Sequence, residues 1–320
     1  VDALLSNFTS PIVLAYVLGI IVRLVKSDLE IPKPVYQGIS IYLLLAIGLK
    51  GGVELSKTPL ADFAGPFGAT LFMGVLTPIL AFLVLRYIGR FDIINASAIA
   101  AHYGSVSAVT FIAAITYSEL QGFQPEGFMP TLLALLEVPG IMVALLIPHF
   151  MAQGKQVSLK KAVREVATGG SIVLLAGGLA IGFLAGPEKF AGIEPFFVNG
   201  FQGALVIFLL ELGMVTASRL GDLRKVGWFL VGFGVIMPLI FGSLAVVAGH
   251  FAGLSIGGTT VFAAMVSSGS YIAAPAAVRI ALPKASPALY LTASLGITFP
   301  FNIALGIPIY LFISEWVASF

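Results

Sequence analysis

The 320-residue chain contains no cysteine, which excludes disulfides, thiol nucleophiles and thiolate-bound metals. Its three histidines, His102, His149 and His250, are scattered, so no transition-metal site is expected. Charge is nearly as scarce: Asp, Glu, Lys and Arg make up 10% of the residues, against roughly 25% in a soluble domain. With a mean hydropathy of +1.04, that scarcity excludes a soluble globular protein. The net charge is only +2 and the charges fall between apolar runs, so nothing supports binding to nucleic acid. The opening residues Val1 to Leu5 carry no basic region and no cleavage pattern, and do not read as a signal peptide.

What remains is hydrophobic: 58% of the residues, in long continuous runs. The alternating segments of about ten residues that a membrane β-barrel needs are missing, which leaves helices as the spanning element. About 20 apolar residues cross a bilayer, and runs bounded by Pro, Gly and charge define ten spans. These lie at roughly 11–25, 34–49, 66–88, 93–117, 130–151, 171–185, 196–217, 228–250, 256–282 and 287–314. The first, second and sixth are short. The expected fold is an all-α polytopic membrane protein with ten transmembrane helices. Of the 17 basic residues, all but Lys50, Lys57 and Lys189 fall in loops on one side. The positive-inside rule puts that side in the cytoplasm and both termini outside. Trp228 and Trp316 fit interfacial anchors.

The basic stretch around Lys155 to Arg164 divides the chain into near-equal parts: residues 1–151, a linker over 152–170, and residues 171–320. Ile12-Val13-Leu14 recurs as Ile172-Val173-Leu174, Gly48-Leu49 as Gly213-Met214, and Gly104-Ser105 as Gly269-Ser270. Pro139 and Pro148 recur as Pro300 and Pro308, and every offset lies between 160 and 165 positions. Five spans per repeat is an odd number, so the second repeat enters the membrane inverted. Inverted repeats characterise secondary transporters, whose sites lie at discontinuous helices near the midplane.

Spans four and nine carry the sequence for such breaks. Gly104-Ser105-Val106-Ser107 and Ser267-Ser268-Gly269-Ser270-Tyr271 interrupt apolar runs at corresponding positions. If both helices unwind there, each following half-helix offers free N–H groups and the positive end of its dipole to a small anion. The expected anion-binding residues are Gly104, Ser105, Val106, Ser107, Gly269, Ser270 and Tyr271. Close helix packing at small residues is the competing account.

Acidic residues within spans are rare, with Glu137 and Glu211 the clearest, and an ionisable group at membrane depth is a functional hypothesis by default. Glu137 precedes Pro139, which cannot donate a helical hydrogen bond and frees a carbonyl on the preceding turn. Carboxylate, carbonyl and hydroxyl oxygens suit Na⁺, and Glu137, Thr110, Ser268 and Asn302, with Thr298 nearby, form the expected sodium set. Lys50 and Glu54 are spaced for a local pair.

The chain resembles the sodium-dependent bicarbonate transporters of cyanobacteria and their bacterial relatives. The likeness is carried by Ile47-Gly48-Leu49-Lys50-Gly51-Gly52, Gly104-Ser105-Val106-Ser107, Glu137-Val138-Pro139, the stretch from Gly213 to Val226, and Arg279-Ile280-Ala281-Leu282-Pro283. It departs where Tyr271 and Ala274-Pro275-Ala276 replace an acidic residue and Gly-Pro-Pro, and where Glu137 replaces Asp. The resemblance implies a five-plus-five inverted repeat with crossing broken helices four and nine. It further implies a homotrimer in the plasma membrane that imports bicarbonate with Na⁺ as coupling ion, and a soluble nucleotide-sensing regulator as partner. A sodium/organic-anion or sodium/proton carrier would share the architecture. An intramembrane serine protease using Gly104-Ser105-Val106-Ser107 with a histidine base is the enzymatic alternative.

Overall fold

The computed structural model describes residues 11–151, 164, 167–219, 223–271 and 273–320. Most of the expected 152–170 linker, including Lys155, Lys160 and Lys161, lies outside them, as do residues 1–10, 220–222 and Ile272. Among the described residues there is no strand. In chain order the helices are α1 (Pro11–Leu24), α2 (Lys33–Lys57), α3 (Leu60–Leu83), α4 (Ile93–Tyr103), α5 (Ala108–Leu120), α6 (Met129–Glu137), α7 (Pro139–Met151) and α8 (Gly170–Phe190). They continue with α9 (Phe201–Arg219), α10 (Leu223–Phe251), α11 (Ile256–Val266), α12 (Ala273–Ala281), α13 (Pro287–Leu291), α14 (Phe299–Phe301) and α15 (Ile307–Val317). Wide π-type turns over Thr292–Thr298 and Asn302–Gly306 flank α14, where Pro300 lacks a donor N–H.

Among the described residues, eight helical stretches are long and apolar enough to cross a membrane, and they overlap the expected spans two to eight and ten. The first and ninth positions hold shorter apolar helices, Val13–Leu24 and Ile256–Val266. Span two is not short: α2 continues to Lys57, giving 25 residues. Gly51 and Gly52 do not end it, because a Cβ at either would strike Pro130 or the α8 backbone, and their packing needs no side chain. Glu54 pairs with Lys57 at 2.9 Å, not with Lys50.

Two sets of helices sort by packing. In one, α1 lies along α9 and α2 along α8. Their close approaches are made at glycine: a Cβ on Gly19 would come 3.0 Å from Gly213 Cα, and one on Gly48 3.0 Å from Gly178 Cα. Such contacts favour helix association in lipid, where hydrophobicity alone cannot drive it. In the other set, α4 packs on α3 and α7, and α11 on α10, α5 and α15, around fully buried Tyr103, Phe111, Phe262 and Tyr310.

Apolar stripes face outward, for instance Leu14, Leu18 and Ile21 on α1 and Ile236, Ile240, Leu244 and Val247 on α10. Trp228 is 89% exposed and Trp316 58% exposed, as residues at a membrane interface are. The architecture is that of a multi-pass membrane protein.

Candidate functional site

The helical chain is interrupted between α4 and α5 and again between α11 and α12, at the two Gly-Ser clusters of the sequence. Gly104, Ser105, Val106 and Ser107 are poor helix formers set side by side. α4 stops at Tyr103, with Gly104 as its cap, and α5 starts after Ser107. The chain is non-helical between them because Ser107, in an extended conformation (φ −97°, ψ 111°), turns its hydroxyl back to accept the Thr110 N–H at 3.1 Å. That is a helix N-cap formed in mid-segment. In the ninth segment α11 ends at Val266, where Ser267 caps it, and α12 resumes at Ala273. Ser270 Oγ accepts the Ala274 N–H at 3.3 Å, so a serine sits at the head of each resumed helix.

The two interruptions are hydrogen-bonded to each other. Ser107 N–H donates to Ser268 Oγ at 2.8 Å, and Ser270 N–H donates to the His102 carbonyl at 2.8 Å. Ser107 Oγ donates to the Tyr271 hydroxyl at 3.2 Å. Of the seven residues expected to hold an anion, Gly104 caps α4, Ser107, Ser270 and Tyr271 are bonded in one network, and Ser105, Val106 and Gly269 adjoin these. Gly269 belongs there by packing, since a Cβ on it would meet Ser294 at 2.9 Å. Gly104, Ser105, Val106, Ser107 and Ser270 are all buried.

Two hydroxyls here have no partner among the described residues. Ser105 Oγ and Thr110 Oγ1 are buried and unbonded, although a buried hydroxyl without a partner costs about 1–3 kcal/mol. Both lie within the first turns around the α5 N-terminus, where free backbone N–H groups and the positive dipole end are found. The cluster can therefore offer hydroxyl donors and a half-helix end to a small anion, and hydroxyl oxygens to a hard cation.

The expected sodium residues divide. Thr110 and Ser268 join the network just described. Asn302 reaches it through Nδ2, which donates to the Ser267 carbonyl at 3.1 Å, while its Oδ1 accepts from the Tyr310 hydroxyl at 3.0 Å. Its amide is thus already engaged in tying α11 to the last segment. Thr298 is a strut: its hydroxyl donates to the Gly234 carbonyl at 2.6 Å and lies 2.6 Å from the Tyr103 hydroxyl.

Glu137 is 6% exposed, and its carboxyl group makes no hydrogen bond among the described residues. It ends α6 at a second interruption, Val138, before Pro139 begins α7. This junction abuts the first break directly, since a Cβ on Gly140 would strike the Gly104 carbonyl. Glu211 stands apart, lining a shallow cavity of about 210 Å³ with Arg23 and Glu30.

Further ties were not visible from local motifs. The Glu126 carboxylate accepts the Ser255 N–H at 2.6 Å at the head of α11, and the Asn95 side-chain carbonyl accepts the Ser286 N–H at 2.8 Å near the head of α4. Asp92 caps α4 by accepting the Asn95 N–H at 3.0 Å. Burial pushes its carboxyl up, but hydrogen bonds from the Asn95 backbone and side chain outweigh that and hold it below the ordinary carboxylate range. His102 is buried, stacks on Tyr290 with ring centroids 4.4 Å apart, and donates Nδ1–H to the Ala98 carbonyl at 2.7 Å.

No curated protein matches the chain. The family model for the Na⁺-dependent bicarbonate transporter superfamily matches residues 11–315, nearly the whole length of the chain. The chain belongs to the Na⁺-dependent bicarbonate transporter superfamily.

Proposed function

We propose that the protein is a Na⁺-coupled symporter that carries bicarbonate into the cell. The anion is held between the broken helices, by Gly104 to Ser107 on one side and Gly269 to Tyr271 on the other. Na⁺ sits beside it, on oxygens of Thr110, Ser268 and Glu137, with Asn302 holding the wall in place. The observation that carries this reading is the pair of interlocked mid-segment breaks, each resumed helix headed by a serine, with Ser105 Oγ and Thr110 Oγ1 buried and unbonded between them. An anion needs donors at this depth, and Lys or Arg is absent from the cluster. A cation beside it offsets a charge that is costly to desolvate alone. One Na⁺ per bicarbonate is electroneutral, and each further Na⁺ gains about 2.3 kcal/mol per 100 mV.

The reading includes a ten-span inverted repeat, residues 1–151 against 171–320 joined by the 152–170 linker, in the plasma membrane with both termini outside. Three pairings support it. α1 with α9 and α2 with α8 exchange places when the repeats are interchanged, and Gly48 and Gly213, matched in sequence, are both at the close approaches. The serine-headed breaks exchange likewise. So do the two loop ties, Glu126 to Ser255 and Asn95 to Ser286, because Asn95 and Ser255, like Glu126 and Ser286, are 160 positions apart. Assembly as a homotrimer and control by a soluble nucleotide-sensing regulator remain proposals that come with the family.

Serine hydrolysis is disfavoured by the bonding pattern: Ser107 Oγ donates to a tyrosine, and Ser105 Oγ and His102 Nε2 are each without a hydrogen bond among the described residues, so no serine of the motif forms the serine–imidazole pair that activates a nucleophile. Uptake of labelled bicarbonate into proteoliposomes tests the proposal. Accumulation is expected only with an inward Na⁺ gradient; equal uptake with K⁺ in its place would refute the coupling.

A further inference from the structure

A cavity lies where the two helix sets meet. It holds about 150 Å³ and is lined by Ala46, Ile47 and Lys50 of α2, by Phe111 to Glu119 along one face of α5, and by Pro130, Phe197 and Gln202. Three features set it apart. It is lined by Phe111, the residue after Thr110, whose buried hydroxyl is unbonded, so the cavity adjoins in the chain the segment proposed to hold the ions. Lys50 and Glu119 line it with opposite charges, yet neither has an ion pair or side-chain hydrogen bond among the described residues; Glu54, the expected partner of Lys50, is taken by Lys57. Lys50 belongs to the set containing α1, α2, α8 and α9, and Glu119 to the set containing the breaks. The cavity therefore changes shape whenever one set shifts against the other.

A lysine and a glutamate that share a small cavity without pairing are suited to a small anion and a small cation arriving together. We propose that this cavity is the outer vestibule of the transport path. Lys50 draws in the carboxylate-like anion and Glu119 stabilises the accompanying monovalent cation before both pass to the breaks. This rests on the transport reading above, and it adds Lys50 and Glu119 as positioning residues on the route to the site.

The absence of cysteine makes the test direct, because any single introduced cysteine is the only thiol. Thr116→Cys and, on the facing wall, Gln202→Cys are each treated in right-side-out vesicles with membrane-impermeant anionic and cationic thiol reagents. Both are expected to react from the outer side. Adding Lys50→Gln should lower the ratio of anionic to cationic labelling rates by about three- to tenfold, the Coulomb effect of removing one charge a few ångströms away in water. Glu119→Gln should raise it. Cysteines reactive only from the inner side, or a ratio unmoved by Lys50→Gln, would overturn the vestibule, and two labelling positions guard against one variant failing to fold. Labelling needs no turnover, so the vestibule can stand or fall separately from the identity of the carried anion. In transport, Lys50→Gln should raise the bicarbonate KM several-fold with kcat unchanged, whereas a lysine with a merely structural role would lower kcat and leave the labelling ratio alone.

Discussion

Ser105 and Ser270 occupy corresponding places in the two breaks but stand in different bonding states. Ser270 caps α12 through Oγ, whereas Ser105 Oγ is buried and unbonded. If both hydroxyls donate to bicarbonate in the loaded state, each bond to a charged ligand is worth about 1.5–3 kcal/mol, a factor of ten or more in affinity. Ser105→Ala combined with Ser270→Ala should therefore raise the apparent bicarbonate KM by roughly tenfold or more in a proteoliposome uptake assay. An unchanged KM would move the anion elsewhere. Glu137 has a different part. It is almost fully buried at the α6–α7 junction and bonded to nothing described, so Glu137→Gln keeps the shape and removes the charge. The Na⁺ concentration for half-maximal uptake should rise by about tenfold or more, while the bicarbonate KM at saturating Na⁺ changes less. Parallel changes in both would mean that Glu137 supports the fold and not the ion.

Breaks hold their geometry only if neighbouring helices leave them room. At Gly104 the room is made by Gly140: a Cβ on either would meet the other's backbone. Gly140→Ala must push α7 away from the break, at a cost of about 1–3 kcal/mol typical of overpacking, and should lower both thermal stability in detergent and uptake. Gly232→Ala on α10 is the control, since its Cβ would meet nothing within 4 Å and alanine favours helix. Equal losses in the two variants would show that the Gly104 contact is not special. The position of the breaks was legible in the sequence because Gly-Ser clusters carry their own backbone chemistry: weak helix propensity and a hydroxyl ready to cap. What seats them was not. Gly140 reads locally as the residue after Pro139, and Glu126 reads as a loop acid, yet one fits against Gly104 and the other holds the head of α11. Such partners are set by tertiary contact between distant segments, which local periodicity cannot encode. The same limit explains α2. Gly51-Gly52 looks like a helix end until Pro130 and α8 are packed against it.

At the scale of the whole molecule, the placement of charge that the composition made conspicuous becomes a statement about coupling. The break cluster has hydroxyls, half-helix ends and one nearby carboxylate, Glu137, but no cationic side chain, so an anion alone leaves an uncompensated charge at membrane depth, which Na⁺ held beside Glu137 offsets. The anion should therefore bind weakly without Na⁺, and linkage requires the coupling to be reciprocal: whatever factor Na⁺ adds to bicarbonate affinity, bicarbonate adds to Na⁺ affinity. Ligands that bind only the folded protein raise its stability by RT ln(1 + [L]/Kd), so the coupling can be read from melting temperatures of the purified protein without any transport. At one pH and ionic strength, Na⁺ with chloride and K⁺ with bicarbonate should each raise the melting temperature slightly, and Na⁺ with bicarbonate should raise it by clearly more than their sum. Glu137→Gln should shrink the excess, because Na⁺ loses a carboxylate ligand and less of it is bound beside the anion. Strictly additive shifts in the unsubstituted protein would mean that the two ions bind independently, and symport would then need a mechanism other than a shared site between the broken helices.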